Sequence, residues 1–372
     1  MTFALTVDAK RFRTHLTNIV DQFTDAGAQV LPVIKGNGYG FGRVTLADEV
    51  TRMNLDQVCV GTIWEASEVL ENFSGGVVVL EPINSTDALA TDQWKTLLVE
   101  HADRLIAVIS ASDTQWVGKI GVKKVWVEAL TSMNRFGLAP HQIAQALKGL
   151  AAQVSVVGFS LHLPIVQPTI SKLTKFETSS INSNSNKVRE IVGWISWLSE
   201  ITETPNSPVD VSVSHLSATE IAQIKRERPG VNLQIRLGTS LWLGEPKALS
   251  VTGTVLAVHE IAATEKAGYQ QNSGGRKVLI VSGGTAHGVA LAAPITASTL
   301  RKRGIAVAEG FAQAVGKIRS PFTYRGNNLN FVEPPHMQVS MLWADKCEIS
   351  VGDEIECNVR NTTANFDAVI WK

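Results

Sequence analysis

Residues 33–42 read Val33-Ile34-Lys35-Gly36-Asn37-Gly38-Tyr39-Gly40-Phe41-Gly42. An apolar run that favours a β-strand ends at Lys35, and the four glycines that follow predict a turn. Lys35 is therefore expected at the mouth of a strand rather than on a solvated helix face. Partial burial at such a position lowers the pKa of a lysine, and the free amine can form a Schiff base with a carbonyl group.

By itself, a glycine-rich turn is equally compatible with an ordinary connection between a strand and a helix, and the phosphate-loop pattern of Lys followed by Ser or Thr is absent. The string resembles the pyridoxal-phosphate lysine motif of the alanine racemase family, K-A-N-A-Y-G-H-G. Glycine replaces both alanines, and Phe41 replaces the histidine. The resemblance implies that Lys35 carries pyridoxal 5'-phosphate and that Tyr39 contacts its phosphate.

The length of 372 residues favours two domains, one of them large enough to be a barrel. A formal net charge of zero gives no reason to expect nucleic acid or an anionic membrane surface as a partner. The N-terminus lacks a basic region followed by a long apolar run, and no apolar stretch approaches membrane-spanning length, so we expect a cytoplasmic protein. Cys59, Cys347 and Cys357 are too scattered for a disulfide framework and are expected as buried thiols, and the histidines lack metal-ligand spacing.

Apolar strands and amphipathic helices alternate over residues 9–244. Strands are predicted at 30–34, 57–62, 77–80, 105–110, 124–128, 155–161, 209–214 and 232–236. Eight strands separated by helices favour a (β/α)8 TIM-like barrel; an open doubly wound sheet would also alternate but does not need eight strands. A polar segment at 179–186 is predicted to be a loop at the face where barrel active sites lie.

From residue 245 the pattern changes to short strand-like runs separated by polar or glycine-rich turns. Strands are predicted at 251–260, 277–282, 338–343 and 354–359, with helical character at 295–301 and 306–315. Residues 245–372, together with 1–8, therefore predict a smaller β-rich C-terminal domain. The expected fold class is α/β.

Met133-Asn134-Arg135-Phe136-Gly137 resembles the M-x-R-x-G stretch of the same family. The resemblance implies that Arg135 meets the cofactor's phenolic oxygen and the substrate carboxylate, a task that suits its fixed fork of donors. Glu128 stands where the family has a carbamylated lysine and would supply, without modification, the negative charge that holds the arginine. Without the resemblance, a surface salt bridge would be the preferred interpretation of Arg135.

Ile235-Arg236-Leu237-Gly238-Thr239 resembles the family's R-x-G stretch, in which the arginine faces the cofactor's ring nitrogen. Arginine stays charged and does not protonate that nitrogen, which weakens the cofactor as an electron sink and favours fast return of a proton to the α-carbon. A carboxylate there would instead indicate decarboxylation. The backbone N–H groups of Gly238 and Thr239 are expected to bind phosphate.

His162 occupies the position of the family histidine that links this arginine to the catalytic tyrosine. A lone histidine at a strand end is otherwise more often a structural residue. Residues 214–219 resemble N-S-A-A-T but place Leu216 where the family has its phosphate-binding serine, which makes Ser217 the candidate substitute.

Glu265-Lys266-Ala267-Gly268-Tyr269 resembles V-[SG]-Y-G and implies that Tyr269 is an acid/base working on the opposite face of the substrate from Lys35. Stereoinversion requires two such groups, because one removes the α-proton and the other returns a proton from behind. In the family this tyrosine reaches the active site of the other subunit, so the resemblance implies a homodimer with shared sites. Taken alone, Tyr269 would be read as a turn tyrosine.

The β-rich domain departs from the family pattern at its gate. Thr285 and His287 replace the tyrosine and aspartate of G-Y-A-D-G, and Phe366 replaces the tyrosine of N-Y-E. Val339-Ser340-Met341-Leu342 matches V-C-M-D and keeps Met341, which is implied to contact substrate. The sequence also lacks a counterpart of the family's terminal R-V-P-R segment.

The resemblance implies a pyridoxal-phosphate-dependent racemase that interconverts L- and D-alanine, with Lys35 and Tyr269 as its two bases. Two alternatives stay open: another pyridoxal-phosphate reaction on a larger amino acid, and a catalytically weakened protein that only binds the cofactor. Arg236 argues against decarboxylation, and the lack of metal-ligand spacing argues against metal-assisted dehydration or aldol cleavage. A barrel without cofactor would need Lys35, Tyr39, Arg135 and Arg236 to coincide by chance.

Overall fold

The computed structural model of the chain describes residues 2–166, 185–201, 209–269, 271–272, 275–291, 319–345 and 348–372. The chain divides into two compact units. One comprises Arg13–Gly38 and Gly42–Gly244, and the other comprises Met1–Phe12, Tyr39–Phe41 and Glu245–Lys372. Residues 9–12 and 39–41, which the sequence assigned to the barrel, therefore group with the second unit.

The chain opens with a strand and a helix, β1 (Phe3–Val7) and α1 (Ala9–Asp25). The first unit continues with β2 (Ala28–Pro32), α2 (Arg43–Arg52), β3 (Gln57–Val60), α3 (Ile63–Asn72), β4 (Gly76–Val79), α4 (Ala88–His101), β5 (Leu105–Ile109), β6 (Lys124–Ala129), α5 (Pro140–Gly149), β7 (Ser155–Leu161), α6 (Asn186–Ile201), β8 (Asp210–Ser214), α7 (Ala218–Glu227), β9 (Asn232–Leu237) and α8 (Thr239–Trp242). Strands and helices alternate except between β5 and β6, where a short 3-10 helix (Gly118–Ile120) takes the place of an α-helix. Each predicted barrel strand is confirmed to within two residues.

The eight strands of the first unit form one parallel sheet in the order β2-β9-β8-β7-β6-β5-β4-β3. A parallel bridge between Val33 and Cys59 joins the two ends of this order, and the Ile34 N–H donates to the Cys59 carbonyl at 2.8 Å. The sheet therefore closes into the predicted barrel, and the doubly wound alternative is excluded. The contacts that close the barrel are made by Val33 and Ile34, so Lys35 directly follows the pair of strands that closes it.

Apolar residues from successive strands fill the interior of the barrel. They form one buried cluster of Leu31, Val33, Cys59, Val78, Ile106, Val108 and Trp126. Many of these residues are β-branched, a shape that packs well on a pleated sheet. The strands appear in the sequence as continuous apolar runs, because helices cover the outer face of a parallel barrel. This continuity explains why the strand positions could be read from the sequence.

The second unit is built on an eight-stranded sheet in which β1 pairs with strands from the C-terminal part of the chain. The strands after the barrel are β10 (Leu249–Glu260), β11 (Lys266–Ala267), β12 (Gln271–Asn272), β13 (Lys277–Ser282), β14 (Arg319–Tyr324), β15 (Asn327–Phe331), β16 (Val339–Trp343), β17 (Glu354–Cys357) and β18 (Ala368–Trp371). All pairings in this sheet are antiparallel except that of β1 with β18. β11 and β12 form a separate hairpin.

The four strands predicted in this unit are present, whereas β14, β15 and β18 went unpredicted. The helical stretches at 295–301 and 306–315, Cys347, and residues 179–184 of the predicted loop lie outside the described residues. Cys59 and Cys357 are buried free thiols, as expected. In the described part of the chain, no helix combines the length and the apolar character needed to cross a bilayer.

Candidate active site

The turn after β2 is held in a left-handed backbone conformation. Gly36, Gly38, Gly40 and Gly42 have φ values of 66°, 60°, 92° and 86°, and Tyr39 itself has φ 55°. Glycine adopts such values without the steric cost that a Cβ imposes. A Cβ built on Gly38 would also lie 2.6 Å from the backbone nitrogen of Arg43. This geometry explains why glycine stands in both places where the family motif has alanine.

The Lys35 turn is anchored by the carboxylate of Glu65 on α3. Its Oε1 accepts the Gly36 N–H at 3.0 Å, and its Oε2 accepts the Gly61 N–H at 2.7 Å. Glu65 thus ties the turn after β2 to the end of β3. Lys35 is exposed, so the partial burial expected at this position is not found in the chain alone.

Arg236 lies on β9, which pairs with β2 so that Leu31 stands opposite Arg236. Its side chain is 7% exposed, and each hydrogen bond that its guanidinium forms with the described residues goes to a neutral oxygen. Nη1 donates to the hydroxyls of Ser160 at 2.8 Å and Ser212 at 3.0 Å, and Nη2 donates to the Leu161 carbonyl at 3.1 Å. Burial lowers the pKa of Arg236, yet a guanidinium remains cationic at working pH.

Ser160 and Ser212 were not identified from the sequence as site residues. Both are buried, and both fix the guanidinium from neighbouring strands, β7 and β8. The available signal was a hydroxyl at a buried position of an otherwise apolar strand, where a polar group needs a partner.

His162 follows β7 and is hydrogen-bonded to a serine at the end of β8. Its Nδ1 lies 3.0 Å from Ser214 Oγ, which also accepts the Leu163 N–H at 3.2 Å. Burial, followed by the charges of Arg236 and Arg135, lowers the pKa of His162 to about 3. The imidazole is therefore neutral at physiological pH. The resemblance implies a link between His162 and Arg236. Among the described residues, the His162 ring is instead hydrogen-bonded to Ser214.

Arg135 is exposed and lies over its neighbour, with its guanidinium carbon 5.3 Å from the centre of the Phe136 ring. Glu128, on β6, is 5% exposed, and its Oε2 has no hydrogen-bond partner among the described residues. Burial raises the pKa of Glu128, and the charges of Arg236 and Arg135 partly offset this effect. That the charge of Glu128 holds Arg135 stays a prediction.

The loop that carries Arg135 is fixed by Glu190 on α6, which was also not identified from the sequence. Its Oε1 accepts the Ser132 N–H at 2.5 Å, and its Oε2 accepts the Ser132 hydroxyl at 2.6 Å. The Thr131 hydroxyl also donates to the His162 carbonyl. An acidic residue among the apolar positions of an amphipathic helix was the available signal.

Ser217 caps α7 instead of presenting a free hydroxyl. Its Oγ accepts the Glu220 N–H at 3.3 Å, and Glu220 Oε2 accepts the Ser217 N–H at 2.8 Å. In this capping box the Ser217 hydroxyl is bonded to the backbone and the carboxylate of Glu220, and its role as a phosphate ligand stays a prediction. Gly238 and Thr239 lie at the start of α8, where the first N–H groups of a helix have no partner within the helix.

Tyr269 lies in the second unit, in the turn between β11 and β12. Its side chain is 81% exposed, and its N–H donates to Glu333 Oε2 at 2.6 Å. Met341, on β16, packs against a buried apolar cluster of the same unit that includes Ala267 and Trp343.

Two of the gate departures, His287 and Phe366, contact the same residue of the second unit, Phe3. His287 is buried, and its Nε2 lies 3.3 Å from Oδ1 of Asp367, whose Oδ2 accepts the Phe3 N–H at 2.8 Å. Phe366 stacks on Phe3 with ring centres 5.7 Å apart. His287 and Phe366 are thus held by contacts with their neighbours, whereas Thr285 is exposed.

The buried carboxyl of Glu128 predicts a pH-dependent stability difference. Burial raises the pKa of Glu128 above its ordinary value of 4.5. The folded protein therefore holds this proton more tightly than the unfolded chain, and the resulting stability is present at low pH and lost as pH rises through the folded-state pKa. Glu128→Gln removes this ionisation. We expect the cofactor-free variant to gain stability relative to wild type at pH 7 and to gain less at pH 4.

Denaturant unfolding at the two pH values measures this difference. Glu100→Gln, on an exposed position of α4, is the matched control and is expected to show no comparable pH-dependent gain. An equal gain for Glu128→Gln at both pH values, or a loss at pH 7, contradicts the assignment.

Comparison with known proteins gives one family for the barrel unit. The family described as "Alanine racemase, N-terminal domain" matches residues 7–243. An alanine racemase of Aromatoleum aromaticum is 27% identical over 186 residues, which make up 47% of this chain and 49% of the relative. The match thus spans about half the length of that curated relative.

Solved alanine racemases have a similar fold over almost the whole chain. The structure from Clostridium difficile 630 has a TM-score of 0.66 at 14% identity and covers 96% of this chain and 87% of its own. The structure from Bacillus anthracis, with bound L-Ala-P, has a TM-score of 0.66 at 16% identity and covers 100% of this chain and 88% of its own. At these identities the likeness concerns the fold alone.

Proposed function

We propose, because this chain belongs to the alanine racemase family, that it is a pyridoxal-phosphate-dependent amino-acid racemase. Alanine is the proposed substrate, since a related fold from Bacillus anthracis binds L-Ala-P. One observation carries the proposal: Arg236, a buried cation whose hydrogen bonds within the described chain all go to neutral oxygens, lies on the strand paired with the one that leads to Lys35. Both residues sit at the carboxyl edge of the barrel, where active sites of this fold lie.

The residues fit pyridoxal phosphate by their chemistry. Lys35 offers an exposed amine for the aldehyde, and Arg236 offers a cation for the ring nitrogen. The N–H groups of Gly238 and Thr239, with Tyr39, are the proposed phosphate ligands, whereas the engaged hydroxyl of Ser217 is less suited. When bound, the cofactor withdraws electrons from the α-carbon of the substrate and makes the α-proton acidic.

Arg236 selects racemisation among the reactions that such a cofactor supports. Its guanidinium cannot release a proton to the ring nitrogen, and the serines that hold it are not acids of useful strength. Electron withdrawal is thereby limited, and rapid return of a proton to the α-carbon is favoured over transamination or decarboxylation. The neutral imidazole of His162 adds no competing positive charge beside it.

Two bases complete the proposed reaction. The amine of Lys35 takes or returns the α-proton on one face, and the phenol oxygen of Tyr269 does so on the other. Arg135 would orient the substrate carboxylate through its fork of donors, and Met341 would contact the substrate. By analogy with the family, we propose a homodimer in which Tyr269 serves the site of the partner subunit.

A larger amino acid is the second candidate substrate. The observation that favours it is the gate, where the exposed Thr285 and the stacked Phe366 replace two tyrosines of the family pattern. A smaller side chain at Thr285 and the loss of a hydroxyl at Phe366 would leave more space and fewer polar contacts.

Chiral chromatography tests the proposed function and separates the two substrates. Purified holoenzyme is incubated separately with single enantiomers of alanine, serine, lysine, arginine and glutamate, and the opposite enantiomer is quantified. Holoenzyme reduced with borohydride is the control. We expect inversion in both directions, fastest for alanine. Fastest inversion of a longer amino acid would select the second candidate, and no inversion of any amino acid would contradict racemisation.

A further inference from the structure

A buried glutamate and a histidine hold Tyr269 in the second unit. Glu333 and His336 lie between β15 and β16, and the Glu333 side chain is only 3% exposed. Its Oε2 accepts the Tyr269 N–H at 2.6 Å, and its Oε1 lies 2.8 Å from His336 Nε2. One carboxylate therefore binds both the backbone of the tyrosine and the imidazole.

The imidazole in turn contacts the ring of Tyr269. The ring centres of Tyr269 and His336 are 5.5 Å apart, with an angle of 34° between their planes. A contact between two flat rings at this distance is favourable and restricts the rotation of both. Tyr269 is thus fixed at its backbone by Glu333 and at its ring by His336.

The residue before the tyrosine is fitted to this arrangement. Gly268 has φ 54°, and a Cβ built on it would lie 2.4 Å from Glu333 Oε2. The carboxylate can approach the turn only because this position has no side chain. The turn that carries Tyr269 is therefore shaped around Glu333.

Burial of Glu333 is costly and needs a reason beyond general stability. A buried carboxylate loses solvation, and replacing such groups with apolar residues is often neutral or stabilising. The side chain of Tyr269 is 81% exposed at the tip of a two-stranded hairpin, so packing inside the core of its own unit does not fix it. Without the pair it would sample several rotamers, and a proton-transfer group must be held in one.

We propose that Glu333 and His336 are positioning residues that hold the phenol of Tyr269 in the orientation required for its acid/base role. This inference rests on the function proposed above. The pair does not touch the reacting atoms; it limits the orientations of the group that does.

NMR of protein labelled with 13C in its tyrosine rings tests the positioning without reference to activity. The chain has only three tyrosines, Tyr39, Tyr269 and Tyr324, and Tyr269→Phe assigns the signal of interest. We expect Glu333→Ala and His336→Ala to move this signal toward the values of a mobile tyrosine. Glu333→Gln keeps an oxygen that can accept the Tyr269 N–H, and His336→Phe keeps a ring against that of Tyr269. Both variants are therefore expected to leave the Tyr269 signal closer to its wild-type position than the alanine variants do.

Steady-state kinetics with alanine is the second readout, using holoenzyme. Glu333→Ala and His336→Ala are expected to lower kcat by about 10- to 100-fold, the cost of a misplaced catalytic group, with KM changed little. Glu333→Gln should restore part of kcat. Asp345→Ala is the matched control, because Asp345 forms an ion pair with Arg276 at 2.6 Å in the same unit. It should leave the Tyr269 signal unmoved and kcat within about twofold.

The outcomes separate the inference from the proposed function. An active wild type whose kcat and Tyr269 signal are unchanged in both His336→Ala and Glu333→Ala overturns the inference and leaves the racemase intact. If Glu333→Ala fails to fold, an unchanged kcat and Tyr269 signal in His336→Ala overturn it by themselves. A wild type that inverts no amino acid overturns the proposed function and, with it, the catalytic role of the pair.

Discussion

Replacing Lys35 with alanine is expected to abolish amino-acid inversion, lowering kcat/KM by more than about 10⁴-fold. The loss exceeds that of an ordinary general base because the same amine is proposed to anchor the cofactor. The placement of Lys35 suits this proposed double use, since the lysine is exposed next to the pair of strands that closes the barrel, and Glu65 fixes the following turn. Chiral chromatography measures the inversion.

Borohydride reduction followed by peptide mass spectrometry tests the anchor directly. In wild type the cofactor should be found on the peptide containing Lys35, and in Lys35→Ala it should not be bound covalently. Lys35→Arg keeps the charge without a reactive amine and should behave like the alanine variant. Lys119→Ala, which removes an exposed lysine outside the site, should behave like wild type. Cofactor found on any other lysine would contradict the assignment.

Replacing Tyr269 with phenylalanine is expected to lower inversion in both directions by about 10²- to 10⁴-fold, the usual contribution of one acid/base group. Both directions fall together, because an inverting reaction needs a proton removed on one face and returned on the other. Lys35 is still present in this variant. The enantiomer whose α-proton faces Lys35 should therefore keep exchanging that proton with solvent, whereas the other enantiomer should not.

Deuterium incorporation into each enantiomer, measured by mass spectrometry, reveals this asymmetry. Tyr324→Phe is the matched control, since the Tyr324 hydroxyl donates to the Glu348 carbonyl at 2.8 Å in the same unit. It should retain inversion and exchange of both enantiomers. If Tyr269→Phe retained full inversion, the second base would have to be another residue.

The barrel could be predicted because its strands are buried on both faces and read as continuous apolar runs. The strand β15, in the second unit, was not predicted. Its sequence Asn-Asn-Leu-Asn-Phe buries only Leu329 and Phe331, and the asparagines between them have low strand propensity. A short strand with one solvated face is therefore hard to distinguish from a loop.

The positions of Lys35 and Arg236 at the ends of two paired strands were predictable, because both residues lie within short motifs that follow apolar runs. The partners of these residues were not, because they come from distant parts of the chain. Ser160 is 76 residues from Arg236, and Glu333 is 64 residues from Tyr269. The direction of the Arg135 side chain also depends on its loop and on the neighbouring ring, which no motif specifies.

The most direct test of the central claim is α-proton exchange in D2O, followed by NMR for L-alanine and D-alanine separately, with the wild-type holoenzyme. A two-base racemase predicts loss of the α-proton signal from both enantiomers, together with appearance of the opposite enantiomer in each sample. Exchange of one enantiomer without inversion, or no exchange of either, would contradict the account.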